Sequence, residues 1–527
     1  MSTVPYCGGV PVRPSRRLVL QGAASLGGAI MGATRAGATT RPLSATGAAY
    51  KVPASATAAW VRAENSRPGD GAWLHGHTAG DGELEAYAST VSATRGDVVS
   101  VFVSTTSPTL TAKVYRMGYY QGLGARRVAT KTGLAAGVQP MPLPDEFGTV
   151  DCRWSPTFTL RIDENYPPGQ YLIRLENTHG QYRFVPLLIR DDTSRATYVY
   201  LSAVTTWQAY NSWGGYSLYR ETNPLGTTVT SNVHRAVRVS FNRPYDVKFA
   251  NGAADFIGNE FPLLFLCERL GLDLTYWTDV DLDLRGERLA QHKVLLSLGH
   301  DEYYSPSMRR AVTSAIGRGV NVAFFGANFS YRKVRFQPGV NGADRLMVNY
   351  RSSADPITAT NPSLATVNWS QYPSDQPESS FSGSLYGGAE GAGSLVVADS
   401  SSWLWHGTSL SDGAVLTGAL GGEFNRFDPA AQNPSSVQIF AHSPVAGGTS
   451  DMTYSARPGR GGVFCTGTGY WIYRLSNAPR MVGGWVPHAI PGVTAPLTTA
   501  TENVLALFAR GPAGDLIPSV DNTALFY

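Results

Sequence analysis

The N-terminal part of the chain shows short apolar runs separated by turns that are rich in Gly, Pro, Asn and Asp. Between about residues 59 and 189 these runs have the length and the β-branched and aromatic content of strands, and no stretch shows convincing helical periodicity. The runs that predict strands are 98–103, 111–116, 158–162, 171–176 and 182–189. Short strands at this spacing predict a β-sandwich domain over residues 59–192.

The periodicity changes near residue 197. The predicted strands beyond this point are 198–204, 274–277, 293–298 and 320–325, and a helix is predicted at 261–270. A second helix is predicted to begin at Ser305 and Pro306, an N-cap followed by proline at the first helical position, and to run to about Ile316. This β-α-β succession is typical of a parallel sheet.

Residues 351–460 are rich in Gly, Ser, Asn and Pro, and they predict long loops with short strands inserted in or after the sheet. A closing strand at 461–467 and a helix at 501–509 follow. We therefore predict a mixed α+β fold. An immunoglobulin-like β-sandwich would be followed, over residues 193–515, by an α/β domain with a mostly parallel sheet of the glutamine-amidotransferase or flavodoxin type.

The first 38 residues resemble an export signal. Residues 15–20 read SRRLVL, a weakly apolar run extends to residue 33, and small residues occupy 36–38. This is the order of charged region, apolar region and cleavage site in a signal peptide, and the adjacent arginines resemble a twin-arginine signal. The apolar run is too short for a stable membrane span. We predict a signal at 1–38, a linker at 39–58 and a secreted or cell-envelope protein, with a basic disordered tail as the alternative.

The composition indicates a folded protein without a basic surface. Of the 527 residues, 11% are aromatic and 16% charged, which excludes a disordered chain and a coiled coil. Four arginines within residues 1–38 account for the whole net charge of +4, so we expect no nucleic-acid partner. Four cysteines without a C-x-x-C pair exclude a disulfide scaffold and a zinc ribbon. Removal of the signal would leave three, which predicts at least one free thiol.

Polar residues follow three of the predicted parallel strands, at the ends where such sheets bind ligands. The segments are 206–219, which contains several tyrosines, 299–304 (GHDEYY) and 326–328 (GAN). A solvated turn beside a helix and a core tyrosine cluster are alternative interpretations of these residues. The sequence contains no G-x-S-x-G nucleophile elbow, no H-E-x-x-H zinc motif and no phosphate-binding loop.

The chain resembles the N,N-dimethylformamidase large (beta) subunit family over about residues 60–510. Each similar segment is weak evidence alone, but their number and order are specific. The segments are 81–89, 115–126 and 151–154 in the predicted sandwich, and 207–219, 299–303, 325–328, 421–423 and 461–471 in the second domain.

The resemblance implies hydrolysis of a small formamide to an amine and formate at a mononuclear non-haem ferric iron. The residues that match the metal ligands are Tyr210, Tyr219 and Glu302. Phenolate and carboxylate oxygens are hard anionic donors, which suit ferric iron. Nearby tyrosines that could replace the two matched ones are Tyr200, Tyr216 and Tyr245.

Three further residues match the family's reacting centre. Glu423 resembles the catalytic glutamate and would act as the general base for the attacking water. His300 and Asn328 would donate hydrogen bonds to the tetrahedral oxyanion, and one such donor contributes roughly 3–4 kcal/mol. Asp428 is the alternative to Glu423 as the functional carboxylate.

Two features depart from the family and leave other functions open. No small subunit is visible, and an export signal is unexpected for an enzyme acting on a permeant amide. We expect a small amide as the substrate and leave homo-oligomer formation open. One alternative is a non-catalytic cell-surface or carbohydrate-binding protein that uses exposed aromatics such as Trp403 and Trp405. The other is a metal-free hydrolase in which His300 and Glu423 act on another substrate, for example a glycoside.

Overall fold

The computed structural model describes residues 47–222, 228–230, 235–475, 478–479 and 489–527. The predicted export signal lies outside the described residues, as does the predicted linker up to residue 46. Residues 44–527 form one compact unit. The domain boundary expected at residues 192 and 193 therefore stays a prediction.

Strands between residues 77 and 190 form two sheets around an apolar core. The larger sheet contains His77–Thr78, Ser92–Thr94, Thr109–Met117, Ala125–Ala135, Gly169–Asn177 and Gln181–Arg190, and the smaller contains Leu84–Ala88, Val98–Thr105 and Phe158–Arg161. Each strand predicted in this region coincides with one of these to within two residues at either end. Alternate side chains such as Val101 and Val103 are buried against Ile173 and Leu175, as the period of two in a strand requires.

The expectation that this region lacks a helix is wrong, because Ala59–Asn65 is an α-helix. Seven residues are too few to form a stable helix alone. Its last two residues are buried and bound from elsewhere in the chain: Glu64 forms an ion pair with Arg126, and Asn65 donates a hydrogen bond to Glu268. Tertiary contacts therefore stabilise this helix, and a local pattern does not reveal them.

A central sheet carries the second half of the fold. Its seven strands in the described part of the chain are, in spatial order, Leu274–Thr278, Tyr198–Ser202, Val294–Ser297, Asn321–Phe324, Val463–Cys465, Gly448–Ser455 and Gln438–Val445. The first five are parallel, and the last two add antiparallel. The predicted mostly parallel sheet is confirmed.

Helices connect and cover these strands. They are Val204–Tyr210, Phe256–Asn259, Phe261–Arg269, Asp279–Arg285, Pro306–Gly317, Ser379–Ser382, Trp471–Arg474, Thr494–Phe508 and Ala513–Leu516. The helix predicted after Ser305 is confirmed, and the Ser305 side chain accepts a hydrogen bond from the backbone N–H of Met308. The strand predicted at 198–204 ends earlier, since the side-chain carboxyl group of Glu260 accepts hydrogen bonds from Ser202 and from the Ala203 N–H.

The expectation of short strands within 351–460 is wrong. Leu385–Val396 and Val415–Arg426 form a twelve-residue antiparallel pair, and two strands of the central sheet follow. Four glycines in the first strand and three in the second hide the alternation of side chains that identifies a strand. One of them is required by packing, because a Cβ on Gly421 would lie 2.1 Å from the Tyr470 ring.

The protein thus has a mixed α+β fold, while the named sandwich and α/β types stay predictions. Trp405 is fully buried, and Trp403 packs on Phe440 with ring centroids 5.3 Å apart, so the expectation that these tryptophans are exposed is wrong. The three described cysteines are buried and free, as the odd count predicts. Within the ranges given above, no helix has the length and apolar character needed to cross a bilayer.

Candidate functional site

The site forms where three neighbouring parallel strands end. The helix after Tyr198–Ser202 carries Tyr210 at its last residue, His300 and Glu302 follow Val294–Ser297, and Asn328 follows Asn321–Phe324. Carboxyl ends of parallel strands meet at one edge of the sheet, which is where ligands bind in such folds. The three predicted segments are therefore brought together.

Two glycines let the loops after these strands touch. Gly299 has a φ of +53°, which suits glycine, and a Cβ there would lie 2.5 Å from the backbone oxygen of Asn259. A Cβ on Gly326 would lie 1.6 Å from the backbone oxygen of Gly299. The close backbone contact carries His300 and Asn328 to adjacent positions.

The two candidate tyrosines and Glu302 converge on one point. The Tyr210 hydroxyl donates to Glu302 Oε2 at 3.0 Å, and the Tyr219 hydroxyl lies 2.9 Å from the same oxygen. The tyrosine rings are stacked with centroids 4.2 Å apart. The Glu302 N–H donates to Thr206 Oγ1, which ties the glutamate to the helix that carries Tyr210.

Glu302 is a buried anion with several partners. Arg332 Nε donates to Oε1 at 3.1 Å, and His300 Nε2 lies 3.5 Å from Oε2. Burial alone would raise the pKa of Glu302, but the interaction with His300 and the charges of Arg332 and Arg351 lower it to about 2. Burial and the Glu302 charge raise the pKa of the Tyr210 and Tyr219 phenols well above 10. Without a bound cation the phenols are neutral donors to a carboxylate.

A second group of residues faces this cluster. His300 Nε2 lies 2.9 Å from Glu423 Oε2, off the line of a hydrogen bond, and Asn328 Nδ2 donates to Glu423 Oε1 at 3.0 Å. Burial would lower the pKa of His300, but Glu423 and Glu302 raise it well above 6.5. The Asn328 N–H donates to Asn425 Oδ1 at 2.8 Å, which holds the loop against the strand of Glu423. The ion pair His300–Glu423 therefore links the two halves of the site.

The alternative residues that the sequence leaves open have other partners in the structure. The Tyr200 hydroxyl donates to Glu260, the Tyr245 ring packs on Trp207, and Tyr216 packs in the apolar cluster around Trp213. The Asp428 carboxylate binds Arg426 and the Ala430 N–H. Tyr210 and Tyr219 are the tyrosines that contact Glu302, and Glu423 is the carboxylate that contacts His300.

Three site residues were missed in the sequence. Tyr303 donates to the Tyr219 oxygen, Arg332 binds Glu302, and the Arg351 guanidinium carbon lies 4.0 Å from the Tyr219 ring centroid. Tyr303 is adjacent to Glu302 in the chain and could have been suspected. Neither arginine belongs to a motif, and only the need of a buried anion for a cation would suggest one.

The donor set fits a hard cation. The Tyr210 and Tyr219 oxygens each lie about 3 Å from Glu302 Oε2, the spacing of neighbouring oxygen ligands bound about 2.0–2.2 Å from one ion. All three become anionic when the phenols lose their protons, as a bound cation favours. Among the described residues, no group of three His, Cys, Asp or Glu side chains is arranged to hold a metal. A metal at this site would therefore depend on the phenol oxygens.

Phenols and carboxylates cluster at the strand ends of a mixed α+β fold, the position where such folds bind their ligands. The chain belongs to the family described as N,N-dimethylformamidase beta subunit-like, C-terminal, whose model matches residues 111–482. Membership in this family indicates an amide hydrolase.

Other comparisons add little. None of the curated proteins matches the chain. An uncharacterized protein from Bacillus anthracis str. Ames is 17% identical over 23% of this chain and 93% of its own, with a TM-score of 0.15. A cycloisomaltooligosaccharide glucanotransferase of Paenibacillus sp., in complex with cycloisomaltoheptaose, is 9% identical over 60% of this chain and 62% of its own, with a TM-score of 0.17. Neither likeness supports an argument about fold or function.

Proposed function

We propose that this protein is an exported, iron-dependent hydrolase of small amides. The observation that carries the proposal is the convergence of Tyr210, Tyr219 and Glu302 on one point, with the His300–Glu423 ion pair beside it. Residues from three separate segments meet there, and family membership gives the reaction class. Export depends on the twin-arginine pattern at residues 15–20 alone.

Tyr210, Tyr219 and Glu302 would hold the ferric ion, and they leave positions free for substrate. The ion, when bound, would supply Lewis-acid polarisation of the amide carbonyl. Phenols and carboxylate together would provide three negative charges, which match the charge of Fe(III).

The remaining residues would move protons and hold the substrate. Glu423 would take a proton from water as the water oxygen forms a bond to the carbonyl carbon. His300 and the second N–H of the Asn328 amide would donate hydrogen bonds to the oxyanion. Glu423 would then pass its proton to the nitrogen as the C–N bond breaks, which yields a carboxylic acid and an amine.

The test is metal analysis and a visible absorption spectrum of protein purified without chelators, followed by assays of amine release from small amides. We expect about one iron per chain and a tyrosinate-to-Fe(III) band. The band should weaken in Tyr210→Phe and in Tyr219→Phe, and iron should be lost in Glu302→Ala. Tyr245→Phe is the matched control, since that ring packs on Trp207, and it should keep both.

Two results would contradict the proposal. Folded protein that binds no iron, even on reconstitution, would favour a binding protein. Amide hydrolysis that survives complete chelation would favour the metal-free hydrolase, in which Glu423 and His300 act without an ion.

A further inference from the structure

The two tyrosines that contact Glu302 have different surroundings. The Tyr219 oxygen accepts a hydrogen bond of 2.7 Å from the Tyr303 hydroxyl, whose own oxygen accepts one of 2.8 Å from Arg351 Nη2. In the part of the chain that is described, the Tyr210 hydroxyl donates to Glu302 and accepts no hydrogen bond. The two phenols are therefore held unequally.

The ring of Tyr219 is also held on both faces. The Arg351 guanidinium carbon lies 4.0 Å from its centroid, and the Tyr210 ring is stacked at 4.2 Å. One face has no room for both groups at these distances, so they cover opposite faces. A guanidinium on an aromatic face attracts the electrons of the ring, and the attraction increases when the ring carries negative charge.

Arg351 is itself held in an unfavourable backbone conformation. Its φ is +54°, in the left-handed region that a residue with a Cβ rarely adopts. Its Nε donates to Oδ1 of Asn349 at 3.2 Å, and the fully buried Asn349 donates in turn to the Lys333 carbonyl. Strained backbone of this kind persists where surrounding contacts compensate, and it clusters at functional sites.

We propose that Tyr303 and Arg351 are positioning residues that fix the ring and oxygen of Tyr219, and not those of Tyr210, for metal binding. The inference rests on the proposed function, because it concerns how one predicted ligand is oriented. A hydrogen-bond donor at the Tyr219 oxygen and a cation on its ring both stabilise an anionic oxygen there. Tyr219 is then the preorganised ligand of the pair, and Tyr210 is the adaptable one.

The first test uses iron-loaded protein and follows release of iron to a chelator by the visible band. Tyr303→Phe should accelerate release about tenfold and move the band to longer wavelength, because loss of the hydrogen bond raises the energy of the phenolate electrons. Arg351→Lys keeps the charge but loses the planar stacking, and it should show a smaller acceleration. In a Tyr219→Phe background, where only the Tyr210 band remains, Tyr303→Phe should change neither the rate nor the band.

The second test needs no metal. Urea unfolding of chelator-treated protein gives a double-mutant cycle for Tyr303→Phe with Tyr219→Phe and, as the matched control, with Tyr210→Phe. The first pair should show a coupling of about tenfold in the unfolding equilibrium constant, and the control pair, which is linked only through Tyr219 and Glu302, should show a clearly smaller one.

The outcomes separate the two ideas. Wild-type protein without iron would refute the proposed function, while the metal-free cycle would still decide the coupling. Iron binding with equal effects of Tyr303→Phe in the Tyr219→Phe and Tyr210→Phe backgrounds would overturn the positioning role and leave the proposed function standing.

Discussion

The charge of Glu302 gives the sharpest prediction. This carboxylate is 1% exposed, and its pKa falls from the ordinary 4.5 to about 2. The difference is equivalent to about 3 kcal/mol of folding free energy. Because the folded-state pKa is lowered, this stability is present above about pH 4.5 and is lost as the pH falls towards 2.

Arg332→Met removes the cation that binds Glu302 Oε1. Breaking a buried ion pair costs about 3–5 kcal/mol when one charge stays behind. Since Tyr210, Tyr219 and His300 still contact the carboxylate, we expect the lower end, about 3 kcal/mol at pH 7. The pKa of Glu302 should rise, so the variant should lose less stability on acidification than the wild type.

The assay is urea unfolding of chelator-treated protein between pH 3 and 7. Glu302→Gln in the Arg332→Met background is the control, since it removes the unpaired charge and should recover at least half of the loss. The reasoning would be refuted if the unfolding free energy of Arg332→Met stayed within about 1 kcal/mol of the wild-type value and fell between pH 7 and 3 as the wild-type value does. The phenols and His300 would then stabilise the charge without the arginine.

Three further predictions concern packing, pH and the choice of carboxylate. Gly326→Ala should lower the unfolding free energy by more than about 3 kcal/mol, because the added Cβ would strike the backbone of Gly299. Gly137→Ala is the control, since nothing lies within 4 Å of its added Cβ, and it should keep the wild-type urea midpoint. Equal midpoints for the two variants would contradict the close contact at Gly326. Burial raises the pKa of Glu260 to about 8, so folding binds a proton and stability should fall from pH 5 to 8. Burial also raises the pKa of Glu378 to about 7, so the fall should become shallower in Glu260→Gln without disappearing, and an unchanged slope would contradict the raised pKa of Glu260. Asp428→Asn should keep amide turnover while Glu423→Gln lowers kcat by about 10²–10⁴; the opposite result would make Asp428 the base.

Much of the sheet architecture could be predicted because its signal is local. The run 293–298 is mostly apolar, Ser305 and Pro306 mark a helix start, and both elements occur where expected. The strands at 385–396 and 415–426 could not be predicted, since glycines replace the side chains whose alternation reveals a strand.

The sequence supplied candidate site residues but not the interactions between them. Glu302, His300 and Asn328 follow strands that the pattern identifies, so their meeting at one edge follows from the parallel order. Tyr219 meets Glu302 across 83 residues of sequence, and resemblance to a family was needed to select it among the nearby tyrosines.

The sequence by itself determined most strands between residues 98 and 325 and the polar segments that follow the parallel ones, because these depend on neighbours along the chain. Only the tertiary structure decided which groups carry charge and what holds them. Arg332 and Arg351 reach the site from segments without a motif, and the pKa of Glu302 depends on them. Electrostatic energies in a buried site depend on distance in space and on exclusion of water, and neither quantity is written in the local pattern of residues.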